Sequence, residues 1–127
     1  MLSEDLQIYR DTYELAKALY RYYNNIPKAL RYGEYGHVLS IALDALDMIY
    51  VANSDVAERY WALTRYLQLV GGIRARIRLF GELMYLSPKQ STYLCLLVEK
   101  VQKQATGWRN SQARAAESRQ GGSAVVR

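Results

Sequence analysis

Between Asn24 and Asn53 the chain reads NNIPKALRYGEYGHVLSIALDALDMIYVAN, a proline bend followed by a segment that is apolar on most of its sides. Tyr35, Leu39, Ala42, Leu46 and Ile49 recur at the three-four spacing of a helix, with Val38, Leu43 and Tyr50 beside them. The flanks add Ile41, Ala45 and Met48. A helix at a protein surface needs one apolar stripe, whereas a helix apolar nearly all round must be enclosed by other helices. This segment, expected as a helix over 34–52, therefore demands a bundle rather than a hairpin. Pro27 disfavours the α conformation at Ile26, which makes 26–33 the expected connection to whatever precedes it.

The flanking sequence supplies the partners. Residues 4–25 carry Leu6, Tyr9, Tyr13, Ala16, Tyr20 and Tyr23 in one row and Ile8, Thr12, Leu15, Leu19 and Tyr22 in the next. Together they form one broad apolar face, with Ser3 as the expected N-cap. Asn53-Ser54-Asp55 predicts a turn, and Leu63, Tyr66, Val70, Ile73, Ile77, Phe80 and Met84 predict a third helix over 56–86. Gly71-Gly72 interrupts that stripe at a cost of roughly 2 kcal/mol against alanine. Such a pair implies either a close backbone approach or a kink. Ser87-Pro88 predicts a helix start, N-cap followed by first-turn proline, for a fourth helix over 88–115 with Leu94, Leu97, Val101, Ala105 and Trp108 as its seam. Four long helices with short connections predict an all-α, antiparallel up-and-down four-helix bundle over 1–116, with 117–127 (ESRQGGSAVVR) as a disordered tail.

At 127 residues, half of them hydrophobic, the chain is one domain with enough apolar surface for a core. A single cysteine, Cys95, excludes an internal disulfide and a cysteine-based zinc site, and the expected compartment is the reducing cytoplasm. The N-terminus carries Glu4 and Asp5 and lacks the apolar core of a signal peptide. No apolar run approaches the ~18 residues of a membrane span, so no membrane is expected as a partner.

Candidate chemistry is sparse. Glu34 and His37 match one Glu-x-x-His motif, but a di-metal bundle site needs two, and His37 is the only histidine. No metal and no cofactor are expected. Asp44 and Asp47 share one side of the second helix without a histidine, lysine or glycine-rich loop nearby, and read as a polar stripe or a pairing surface for a second subunit. Tyr20 and Tyr23 extend an aromatic edge that suits core or subunit contact ahead of base stacking. Cys95 lies near an apolar seam and reads as a small hydrophobe. No catalytic set can be assembled, so the chain is expected not to be an enzyme.

Charge is the remaining signal. Residues 1–55 hold 5 basic and 8 acidic side chains, while residues 56–127 hold 12 basic and 4 acidic. Arg65, Arg74, Arg76, Arg78, Lys89, Lys100, Lys103 and Arg109 all fall on the third and fourth helices. Contacts to a nucleic-acid backbone need this charge and no base-reading geometry. The same residues also read as a solvated face, or as partners for acids of a neighbouring subunit.

Several short segments occur in a telling order: Tyr13-Glu14-Leu15 with Leu19-Tyr20, then Ile26-Pro27-Lys28 and Arg31, the stretch Ala42–Asn53, Ser87-Pro88-Lys89-Gln90 and Gly107-Trp108. In this order and spacing the chain resembles the small bacterial four-helix-bundle family of the ribosomal RNA intervening-sequence protein. That family includes the accessory variability determinant (Avd) of diversity-generating retroelements. The resemblance implies an up-and-down bundle and a homo-oligomer, a barrel-like pentamer in known members. For the retroelement branch it implies an accessory that binds RNA or DNA and works with a reverse transcriptase.

Overall fold

The computed structural model describes residues 2–126, with side chains over 2–118. The chain is all-helical, 88% helix without a strand among the described residues, and has four long helices. These are α1 (Gln7–Arg21), α2 (Gly36–Ser54), α3 (Arg59–Glu82) and α4 (Pro88–Val126). α1 packs against α2 and α4, α2 also against α3, and α3 also against α4.

The core follows most of the predicted apolar rows, but Tyr13, Tyr20 and Met84 of those rows are exposed, and Val98, on none of them, is buried. Leu15 and Leu19 of α1, Val38, Ala42, Ala45 and Ile49 of α2, Tyr66, Val70, Ile73 and Ile77 of α3, and Leu94, Val98 and Val101 of α4 are all fully buried. A side chain of this kind contributes roughly 1.5–3 kcal/mol through removal from water. Even so, α2 is not enclosed on every side: Leu43 and Tyr50 are exposed, as are Asp44 and Asp47. The stretch Lys28–Ser54 is long and apolar enough, by length and composition, to cross a membrane, and half of that window is buried within the fold. Asp44 and Asp47 interrupt this stretch, so its apolar run is not continuous.

Helix ends differ from expectation for identifiable reasons. Ser3 does not cap α1. It lies buried in a 3₁₀ turn, Ser3–Asp5, where its Oγ accepts a hydrogen bond from Asn53 Nδ2 at 3.3 Å. The expected connection over 26–33 is largely helical: a single turn, Lys28–Leu30, runs into a π-helical stretch, Arg31–Tyr35, and then into α2. Arg31 holds this bend by donating to the carbonyls of Ile26 and Asn24. α3 begins three residues later than predicted because Asp55 Oδ1 accepts the Ala57 N–H and closes a turn before the helix starts. Ser87 and Gln90 form a reciprocal capping box at the start of α4, Gln90 N to Ser87 Oγ at 3.1 Å and Ser87 N to Gln90 Oε1 at 3.0 Å.

α3 runs unbroken through Gly71-Gly72. No neighbour lies within 4 Å of a β-carbon placed at Gly71, and at Gly72 the nearest atom is Arg76 Nη1 at 3.1 Å. The close helix approach is instead at Gly81, where Ser91 of α4 is the neighbour. α3 then ends with Met84 in the left-handed region (φ 64), Tyr85 N bonded to Phe80 O and Met84 N to Gly81 O. This is a Schellman end with methionine where glycine is usual, and the rings of Phe80 and Tyr85, 6.4 Å apart, provide its apolar contact. Beyond residue 116, the boundary proposed for the tail, the backbone of α4 continues as helix to Val126. At about 1.5 Å per residue its 39 residues span roughly 58 Å, against roughly 36 Å for the 24 of α3.

Candidate nucleic-acid interface

The eight cations expected to contact phosphates do not form one patch. Arg74 turns toward α4, where its guanidinium meets Glu99 Oε1 at 3.4 Å and Gln102 Oε1 at 3.4 Å. Arg78 pairs with Glu82 one turn on, at 3.2 Å. Arg76 folds back and donates to the Gly72 carbonyl at 3.1 Å, using the space that the missing side chain leaves. Arg65 donates to Gln68. Lys89 and Lys103 are exposed and form no ion pair among the described residues.

Along the α3–α4 seam, Arg74, Arg78, Glu82, Thr92, Leu96 and Glu99 line a shallow groove that continues past Gln102 and Lys103 to Thr106. Three cations and two carboxylates share it, so its field is only weakly positive. Cys95 also borders this groove as a half-buried free thiol. Exposed pairs such as Arg78–Glu82 contribute at most about 1 kcal/mol and exchange readily for a phosphate.

Lys100 points the other way, toward α1. Its Nζ lies 3.3 Å from Asp11 Oδ1, and the Asp11 side chain is only 9% exposed. Gln7 Nε2 donates to the same oxygen at 2.9 Å, and Gln104 Nε2 donates to Oδ2 at 2.7 Å. Burial alone would raise the Asp11 pKa; the donors Gln104, Gln7 and Lys100 and the Lys100 charge outweigh it, so the carboxyl sits below its ordinary range. Next to it, Thr12 Oγ1 donates to Ile8 O at 2.7 Å, which leaves the Tyr66 hydroxyl to donate to Thr12 across 2.6 Å. The Tyr35 hydroxyl likewise donates to the Leu19 carbonyl. Burial pushes both tyrosine pKa values far up, so both remain neutral hydrogen-bond donors.

Arg109 lies at the far end of the seam, with its guanidinium 5.7 Å from the Tyr60 ring centre and Nη1 3.5 Å from Thr64 Oγ1. Its Nε is buried without a partner. Close by in sequence, Arg59 stacks at 5.3 Å over the Trp108 ring and donates to the Ala52 carbonyl at 2.7 Å. Neither guanidinium meets a carboxylate among the described residues. The eight candidate cations leave out Arg59, although a basic residue beside aromatics at the start of a helix is visible in ERYW. Asp11 was also legible, since it falls at helical spacing between Ile8 and Leu15.

Of the residues expected at subunit contacts, Tyr20, Asp44 and Asp47 are exposed. Tyr23 is engaged within the chain, edge-on to Tyr35 at 6.1 Å and beneath Arg31 at 5.6 Å. Glu34 and His37 are exposed, and no group of three or more His, Cys, Asp or Glu among the described residues is placed to hold a metal ion. The sequence matches no protein-family model and no curated protein.

Proposed function

We propose that the chain is a non-enzymatic, self-associating bundle of antiparallel, up-and-down helices whose α3 and α4 surface holds RNA or DNA phosphates. Cross-contacts support the up-and-down order. Ser3, before α1, meets Asn53 at the end of α2, Tyr35 meets Phe80, Gly81 meets Ser91, and Asp11 meets Gln104. The observation that carries the binding reading is the placement of charge. Of the eight cations expected to contact phosphates, six (Arg65, Arg74, Arg78, Lys89, Lys100 and Lys103) are exposed, in the half of the chain that is strongly basic.

The resemblance to the Avd and intervening-sequence family extends this reading to a cytoplasmic homopentamer with a reverse transcriptase as partner. A filter-binding titration tests the core claim. Three phosphate contacts predict a loss of affinity on the order of 40-fold between ~50 and ~200 mM salt. Undetectable binding at ~50 mM salt, or affinity indifferent to salt, rejects it.

A second reading is a protein-interaction bundle without nucleic acid. It is favoured by the ion pairs that already occupy Arg74, Arg78 and Lys100. Replacing Arg74→Glu together with Arg78→Glu separates the two. Loss of nucleic-acid binding with an intact oligomer supports the first reading, and loss of the oligomer supports the second.

A further inference from the structure

Two cation–aromatic stacks come together where the first turns of α3 meet the second half of α4. The Arg109 guanidinium lies over Tyr60 and the Arg59 guanidinium over Trp108, at 5.7 and 5.3 Å. Beside them Trp61 is 55% exposed and Tyr60 49% exposed, an unusual amount of open aromatic surface for adjacent residues. A groove of about 430 Å³ runs along Tyr60, with Val56 and Ala57 on one side and Ala113 and Ala116 on the other. Its walls are mostly small and apolar, with Gln112 as a polar lining residue, and the rim provides a flat ring with a guanidinium above it.

We infer that this end of the bundle is a stacking site for unpaired bases of single-stranded nucleic acid, an assignment that rests on the nucleic-acid reading above. Three features select that ligand. Ring faces accept any base by stacking, which favours strands whose bases are free over duplexes whose bases are already stacked. The guanidiniums are held by aromatic faces and neutral oxygens rather than by carboxylates, so N–H donors remain for phosphate oxygens. The groove lacks any charged lining residue, so a base entering it displaces water without stranding a charge. The seam farther along α3 and α4 lacks these features, because its arginines are bound to Glu82 and Glu99. A strand would lay its bases against Tyr60 and Trp61 and run its phosphates past Arg109 toward the exposed Arg65.

The test compares a 20-nucleotide single-stranded oligouridylate with an RNA duplex of equal length at ~50 mM salt, by anisotropy and by tryptophan fluorescence. The native protein is expected to bind the single strand more tightly, with quenching. Trp61→Ala and Tyr60→Ala are each expected to weaken single-strand binding roughly five- to hundredfold while changing duplex binding little. Trp61→Phe should restore most of the loss. Both side chains are about half exposed, so the truncations leave the fold intact, as circular dichroism would verify. If both alanine variants bind like the native chain while affinity still falls with salt, the stacking site is rejected and the cationic surface stands. If the native protein binds neither probe, the nucleic-acid reading fails and this site with it. If Trp61→Ala lowers the mass seen by light scattering, Trp61 is a subunit contact and the inference is overturned.

Discussion

Asp11 concentrates the energetics of the bundle at one carboxylate. Its side chain is nearly out of water, and an unpaired charge there would be strongly destabilising. Three donors from two helices compensate: Gln7 on its own helix, and Gln104 and Lys100 on α4. The arrangement fixes how α1 sits against α4, since a displacement of either helix by a turn would leave the carboxylate alone. Asp11→Asn keeps the shape and removes the charge, so it should lower stability at pH 7 by about 1–3 kcal/mol in urea unfolding. The sign of the pH dependence follows from the lowered pKa. Ionised Asp11 stabilises the folded state above the ordinary carboxylate range, and that contribution is lost as pH falls through the folded-state value. The gap between native and Asp11→Asn should therefore persist down to the ordinary aspartate value of 3.8 and shrink as the pH falls below it. A gap that is constant from neutral pH into the acid limb would show that the charge of Asp11 contributes nothing. The apolar rows of α1 leave Asp11 out, and its position between Ile8 and Leu15 could not have named its partners, because Gln104 lies 93 residues away.

Single helices were legible to the extent that their reasons are local. Ser87-Pro88 predicted the start of α4, and the capping box with Gln90 is that prediction in atoms. Ser3 failed as a cap because its hydroxyl is taken by Asn53, a contact across 50 residues. The glycines separate local from non-local causes most clearly. Gly71-Gly72 caught attention as a pair, yet Gly71 faces open space and Gly72 accommodates a side chain of its own helix. Gly81, which looks ordinary in sequence, is where α3 lies tight against α4. A β-carbon there would sit 2.5 Å from Ser91 Oγ and 3.3 Å from Ser91 Cβ. That hydroxyl oxygen is itself buried without a partner. Gly81→Ala should therefore cost about 1–3 kcal/mol by overpacking, despite the better helix propensity of alanine. Ser91→Ala should be close to neutral alone and should recover most of the loss in the double variant. Additive effects in thermal unfolding would mean that the two residues do not meet.

For the whole molecule, the distribution of exposed apolar surface decides where a second copy would sit. Leu43 on α2 and Leu79 and Leu83 on α3 are 45%, 51% and 51% exposed. They lie on two adjacent helices, with Tyr50 at 63% exposure on the same side of α2 as Leu43. Gly71 leaves open space in the middle of α3, whereas Arg76 covers Gly72. Asp44 and Asp47 border this face and carry no ion pair within the chain among the described residues, so they are open to the cations of a neighbour. The face thus supplies both the apolar patch and the unpaired charge that an interface between copies requires. The proposed self-association would also account for α2 being more apolar than its burial in one chain demands. We therefore expect the native chain to sediment well above its 14.6 kDa monomer mass. Leu43→Glu with Leu79→Glu should return it to the monomer, with the helical circular dichroism unchanged because both side chains are exposed in the single chain. A double variant that keeps the native mass would move the interface to the Tyr13 and Tyr20 edge of α1. There Lys17 already lies over the Tyr13 ring at 5.4 Å, and half of each tyrosine remains open to solvent.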